Sequence, residues 1–208
     1  MGTNAPAVPT VAGVDWATHL ADQLDFHWDV QLRPRLDGLT DDEYRWEPVP
    51  GCWSLRPRDE AVTPMAAGGG DLVVDFAVPP PDPAPVTTIA WRLVHVIVGV
   101  FGSRNADHFG GPPMDYATYD LPATAAGALE ALDAGHAHWS AAVRALDADG
   151  LARPCGPAEG PFADLPIAAL VLHINREAIH HLAEVCLLRD LYGASGGAPI
   201  ERTTGEAG

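Results

Sequence analysis

Lysine is absent. All 12 basic side chains are arginines, set against 28 Asp and Glu, for a formal net charge of -16. A chain this acidic, with no cluster of arginines along it, has no basic footprint for a phosphate backbone or an anionic lipid surface. Binding to nucleic acid or to a membrane is therefore not expected. Cysteine is scarce: Cys52, Cys155 and Cys186 are odd in number, scattered and never spaced C-x-x-C. That argues against a disulfide framework or a cysteine-based zinc site and fits a reducing, cytoplasmic setting. Long apolar runs are missing too, since no stretch reaches the roughly 18 residues that a spanning helix requires. There is no G-x-S-x-G elbow, P-loop or dinucleotide fingerprint, and the glycines between Ala67 and Asp71 do not join a strand to a helix as such loops do.

What is present suits one globular core. The 208 residues carry an ordinary apolar fraction of 47%, so nothing calls for a second domain. Residues 1–14 read as a polar leader, 15–193 as a single helical domain and 194–208 as a small polar tail. Apolar residues at three-four spacing predict a first helix over Asp15–Leu39, with Asp15 as cap and Pro34 kinking its last turn. Thr40-Asp-Asp-Glu43 reads as a cap and a short turn. A second helix is expected over Thr87–His108 with Thr87 or Thr88 as its cap, and a third over Pro122–Asp149 with Thr124 near its cap and Gly150 just beyond it. The fourth, Asp164–Tyr192, is expected to be capped by Asp164, to carry Pro166 in its first turn and to stop at Gly193. Between helices one and two lies a long loop in which Cys52–Leu55 and Leu72–Phe76 could pair as a small hairpin. The fold class is all-α, a four-helix bundle.

The fourth helix carries the chemistry-bearing residues. His173, Glu177 and His181 succeed one another at i,i+4, on one face of the helix. His181 shares a heptad row with Ile167, Ile174 and Leu188, and Glu177 shares one with Leu170 and Leu191. Polar heads in or beside a core-facing stripe are costly unless partnered or bound to a cation. His95 is the one polar side chain between Leu93 and Phe101 in the second helix, and would be a third donor from a facing helix. On residue types alone two readings stay open: a three-ligand metal site, or a hydrogen-bonded Glu–His pair beside a satisfied core histidine. His180 competes with His181 as a ligand, and His173 either orients Glu177 or makes a helix-face hydrogen bond. Glu184 and Arg176 read as solvated or bundle-bridging charges, and His136 and His138 as surface residues. Trp46, Trp53 and Trp91 are candidates for lining a cleft.

Several motifs together resemble the DinB/YfiT-like superfamily: Trp91-x3-His95, Glu177-x3-His181, Gln23-Leu-Asp-Phe-His-Trp-Asp in helix one and Trp46-Glu-Pro-Val-Pro-Gly after it. The resemblance implies His95, Glu177 and His181 as ligands of one divalent ion. Many members use three histidines, whereas Glu177 here matches the His, Glu, His set of the mycothiol-dependent maleylpyruvate isomerase branch. Zinc suits that donor set best, and nickel, manganese or iron are compatible with it. The implied activity is a mycothiol- or bacillithiol-type S-transferase or isomerase acting on a small molecule. The distinct C-terminal domain of the isomerase branch has no counterpart after Gly193, which favours general thiol transfer over that one isomerisation. Two alternatives remain: a hydrolase in which metal-bound hydroxide attacks an amide or ester, and a non-enzymatic metal-binding or stress-response bundle. Related bundles pair through helix faces, so a homodimer is compatible with the reading.

Overall fold

The computed structural model describes residues 13–200. Four long helices form the body. The first, α1, runs over residues 16–36, and the Asp15 carboxylate caps it by accepting from the Thr18 amide. Its middle widens into a π-helical stretch, His27–Leu32, directly before Pro34. Pro34 has no amide hydrogen and its ring crowds the carbonyl four residues back, so the effect of the proline falls on the turn before it. A short helix, α2 (Asp41–Arg45), follows with a full capping box between Thr40 and Glu43. The hairpin is present and small: β1 (Leu55–Pro57) pairs antiparallel with β2 (Leu72–Val74). Trp53 and Thr87 form a separate parallel bridge.

The second long helix, α3, covers residues 89–109, with the Thr88 hydroxyl accepting from the Trp91 amide at its start. A π-helical stretch, His95–Gly102, occupies its centre. α4 (Ala125–Arg144) is capped by Thr124 and ends earlier than expected. Asp147 then caps a separate short helix, α5 (Ala148–Ala152), which contains Gly150. The last helix, α6 (Ile167–Ser195), corrects both predicted ends. Asp164 does not cap it: it lies in a turn, and the extended Pro166 after it is the cap, held where the Cys155 amide bonds to the Leu165 carbonyl and the Ile167 amide to that of Arg153. Gly193 lies inside the helix, at a cost of only about 1 kcal/mol, and the left-handed residue that ends it is Gly196 at φ 64°. The expected leader falls almost wholly outside the described residues, as do residues 201–208 of the expected tail.

The packing is a ring. α1 lies against α4 and α6, and α3 lies against the same two helices. Successive long helices α1 and α3 are thus diagonal, and the long connection between them makes that crossing. The core is built from fully buried Leu32, Tyr44, Leu93, Phe101, Leu132, Trp139 and Ile174, among others. The hairpin is fixed to α3 by Asp75, whose buried carboxylate takes bonds from the Ser54 amide and Arg56, while its carbonyl accepts from the Trp91 indole at 2.7 Å. No helix among the described residues is long and apolar enough to cross a membrane.

Candidate metal centre

His95 opens the π-helical stretch of α3. Its Nδ1 lies 3.0 Å from the hydroxyl of Tyr116, which comes from the loop after α3. Gly99 makes this approach feasible, since a Cβ there would stand 2.6 Å from the Tyr116 oxygen and 3.3 Å from His95 Nδ1. Burial pushes the His95 pKa down to about 4, and the neighbouring His181 and Arg92 act in the same direction. At neutral pH the ring is uncharged, so one of its two nitrogens is an acceptor.

His181 reaches the same place from α6. The His95 and His181 rings stand perpendicular with centroids 4.6 Å apart. His181 Nδ1 is 2.9 Å from the Glu184 carboxylate and 3.2 Å from the Arg92 guanidinium. Its Nε2 faces a carboxylate oxygen of Glu177 at 3.4 Å, so each nitrogen of the ring has a carboxylate beside it. Burial works to raise the Glu177 pKa, but a hydrogen bond from Arg176 and the nearby His173 and His181 outweigh it, and the net shift is downward. Glu177 is therefore an anion, and a proton on His181 Nε2 or a metal ion between the two satisfies the contact.

The remaining candidates divide clearly. His173 lies 3.6 Å from Glu177 and accepts from Arg176 at 2.6 Å, so it braces the carboxylate. His180 is exposed, with its Nε2 3.7 Å from Glu184. Among the described residues, one group offers three donor atoms all within 4.8 Å of one another: His180, His181 and Glu184. His95 and Glu177 stand outside that tight group. His180, His181 and Glu184 are thus the compact donor set among the described residues, and the expected set of His95, Glu177 and His181 is a looser one that shares the His181 ring. On the Glu184 side the Arg92 guanidinium is already in place, 3.1 Å from the carboxylate, and a second cation there would meet its charge. On the Glu177 side the Arg176 guanidinium stands in the same way, 3.2 Å from the carboxylate.

Four contributors have roles the sequence did not spell out. Glu184, read as a solvated or bundle-bridging charge, does bridge to Arg92 on α3, and it also orients His181. Arg92 holds Glu184. Tyr116 belongs to no periodic segment, so no spacing signal could single it out. Arg176 likewise touches Glu177, at 3.2 Å. His136 is a correction as well: it is not a surface residue but stacks on Trp28 with centroids 3.8 Å apart and bonds to Asp25. His138 meets the Phe109 carbonyl at 3.2 Å.

Beside His95 lies a mostly apolar cavity of about 380 Å³, walled by Met65, Val74, Phe76, Trp91 and Tyr116. Trp91 stacks on His95 with centroids 5.5 Å apart, and Trp53 backs Trp91 at 5.9 Å. Trp46 packs instead against Tyr192. All three cysteines are free and buried, and burial raises each thiol, Cys52 to about 11.

Neither a curated protein nor a solved structure matches the chain. The family model of the DinB superfamily matches residues 23–185, from the middle of α1 to just past Glu184, and so takes in both donor sets and the hairpin between the first two long helices. With that span matched and the helical bundle in place, the chain belongs to the DinB superfamily.

Proposed function

We propose that His95, Glu177 and His181 hold one divalent ion, and that the chain is a metal-dependent enzyme, a low-molecular-weight-thiol S-transferase or isomerase. The observation that carries this reading is the approach of His181 to two further donors: its Nε2 lies 3.4 Å from Glu177, and its ring centroid lies 4.6 Å from that of a neutral, buried His95. The donor set fits a divalent ion chemically: two neutral imidazoles and one carboxylate, with both Nδ1 atoms engaged elsewhere. An ion held there supplies a site that stabilises a thiol as thiolate or acidifies water, and zinc, nickel, manganese and iron all suit the donors.

The chain's own residues do the rest. Tyr116 and Glu184 fix the two rings, and Arg92 holds Glu184 in place. Burial raises the Tyr116 phenol well above its ordinary range, so it stays protonated beside His95. Trp91, Phe76 and Met65 form a dry wall for the apolar part of a substrate. The buried cysteines, with their raised pKa values, are poorly suited to supply a nucleophile, so the sulfur of such a reaction has to come from a soluble thiol.

Elemental analysis of protein purified without a histidine tag tests the metal reading. About one ion per chain is expected, with Glu177→Ala and His95→Ala each retaining less than roughly a tenth of it. Loss of the ion in His180→Ala with retention in His95→Ala would instead assign it to the His180, His181, Glu184 set. Mass-spectrometric trapping of a thiol adduct then tests the transferase. Failure across several thiols, with turnover of an amide or ester, would make the protein a hydrolase. An inert metal-loaded protein would be a binding bundle.

A further inference from the structure

A second cavity, of about 570 Å³, opens between α3, the turn over residues 157–162 and the first half of α6. Arg104, His173 and Arg176 line it together with Phe162, Leu165 and Leu170. We propose that this cavity binds the carboxylate of a small organic anion with an apolar body. Only in naming that anion as the substrate does this rest on the metal reading above.

The charge balance is the first observation. In a chain of net charge -16, two of the 12 arginines line one cavity. The carboxylate among its lining residues, Glu159, is turned inward: its side chain is 7% exposed, and it is held by His108 at 2.9 Å and Arg104 at 3.3 Å. With Glu159 offset by Arg104, and Arg176 shared with Glu177 just outside the lining, the cavity suits a monoanion better than a phosphate. The second observation is preorganisation. Arg104 is locked by bonds from Nη1 to the Gly99 carbonyl and the Ser103 hydroxyl. Arg176 uses only Nη2, towards His173 and Glu177, so its Nε and Nη1 remain for a ligand. A planar guanidinium with two unused donors suits a carboxylate. The third observation is apolar. Phe162 and Leu165 are exposed on the rim of the cavity, 62% and 47%, and would be covered by the body of such a ligand.

Position gives the cavity its meaning. His173 lies on its wall and 3.6 Å from Glu177. An anion bound there would sit next to the proposed donor Glu177, in a space that shares no lining residue with the Trp91 cavity. The two spaces together would hold a carboxylate-bearing substrate and its co-substrate across the His95–Glu177–His181 cluster.

Benzoate is a suitable probe, with uncharged benzamide as control, titrated by NMR into the full chain both as purified and after removal of metal with EDTA. Benzoate is expected to bind in both states and benzamide in neither, with binding weakening as salt rises. Arg176→Gln should weaken it about tenfold. Ala169→Phe, which fills the cavity, should abolish it without altering metal content. Equal binding of benzamide, or benzoate binding untouched by both substitutions, would overturn the inference. Benzoate binding in a protein found to hold no metal as purified would keep this site and remove the metal reading. A metal-loaded protein blind to benzoate would do the reverse.

Discussion

At the scale of single residues, the site depends on what holds each imidazole by its far nitrogen. Tyr116 does so for His95 and Glu184 for His181. Removing such a partner loosens ring orientation and lowers ligand basicity, typically about tenfold in metal affinity. Tyr116→Phe and Glu184→Gln are each expected to lower affinity by that order in competition with a chromophoric chelator, while helix content is retained. Gly99→Ala should mimic Tyr116→Phe, because its added carbon would displace the phenol. The four-residue spacing of Glu177 and His181 was readable from sequence because a helix turns one residue's neighbour into its i+4 partner. The roles of Tyr116 and Arg92 were not, because those residues meet His95 and His181 only through the tertiary approach of separate segments.

At the scale of elements, two polar clasps join the helices. One links α1 to α4: Asp25 takes bonds from Ser140, Arg144 and His136, and His136 stacks on Trp28. Burial lowers the His136 pKa below its ordinary 6.5, against the opposing pull of Asp25. For Asp25 burial works upward, but the bonds from Arg144 and Ser140 outweigh it, and the net shift is below 3.8. A depressed folded pKa means that the unfolded chain takes up protons first, so both contributions are present at neutral pH and fade on acidification. His136 loses its share as pH falls below 6.5, and Asp25 below 3.8. Urea midpoints are expected to drop from pH 7 to pH 5, and to drop less steeply in His136→Phe, which keeps the stack. The other clasp is Arg189 on α6, which grips the Glu43 carboxylate in α2 and the carbonyls of Arg35 and Asp37. Arg189→Met leaves a nearly buried carboxylate unpaired and should cost about 3 kcal/mol in urea unfolding at constant m.

The bounds of these elements were legible where a side chain sets them, as Asp15, Thr88 and Thr124 do by capping. They were misread where the backbone of another segment sets them. Residues 165–166 stay extended because residues 153–155 pair with them, and no local feature of Asp164 announces that pairing. The π-helical stretch around His95 was equally hidden, since its apolar residues suit an ordinary helix as well.

At the scale of the whole molecule, 28 acidic side chains against 12 arginines leave many carboxylates without a partner. Their mutual repulsion disfavours the compact state and is screened by salt. The thermal midpoint is therefore expected to rise by a few degrees when sodium chloride goes from about 10 to 200 mM. A flat or falling midpoint would mean that the exposed Arg–Asp and Arg–Glu pairs outweigh the repulsion.

The amino-acid sequence by itself determined the helical class, the number of long helices, the small hairpin and the stripe on α6 that carries Glu177 and His181, because periodicity and capping are local properties of a chain. Only the tertiary structure decided that α3 lies beside α6, diagonal to α1, so that His95 and His181 stand with ring centroids 4.6 Å apart. It also decided which nitrogen of each ring is already engaged, and that a second cavity adjoins Glu177. Those are matters of where distant segments come to rest, and burial across the whole bundle fixes them.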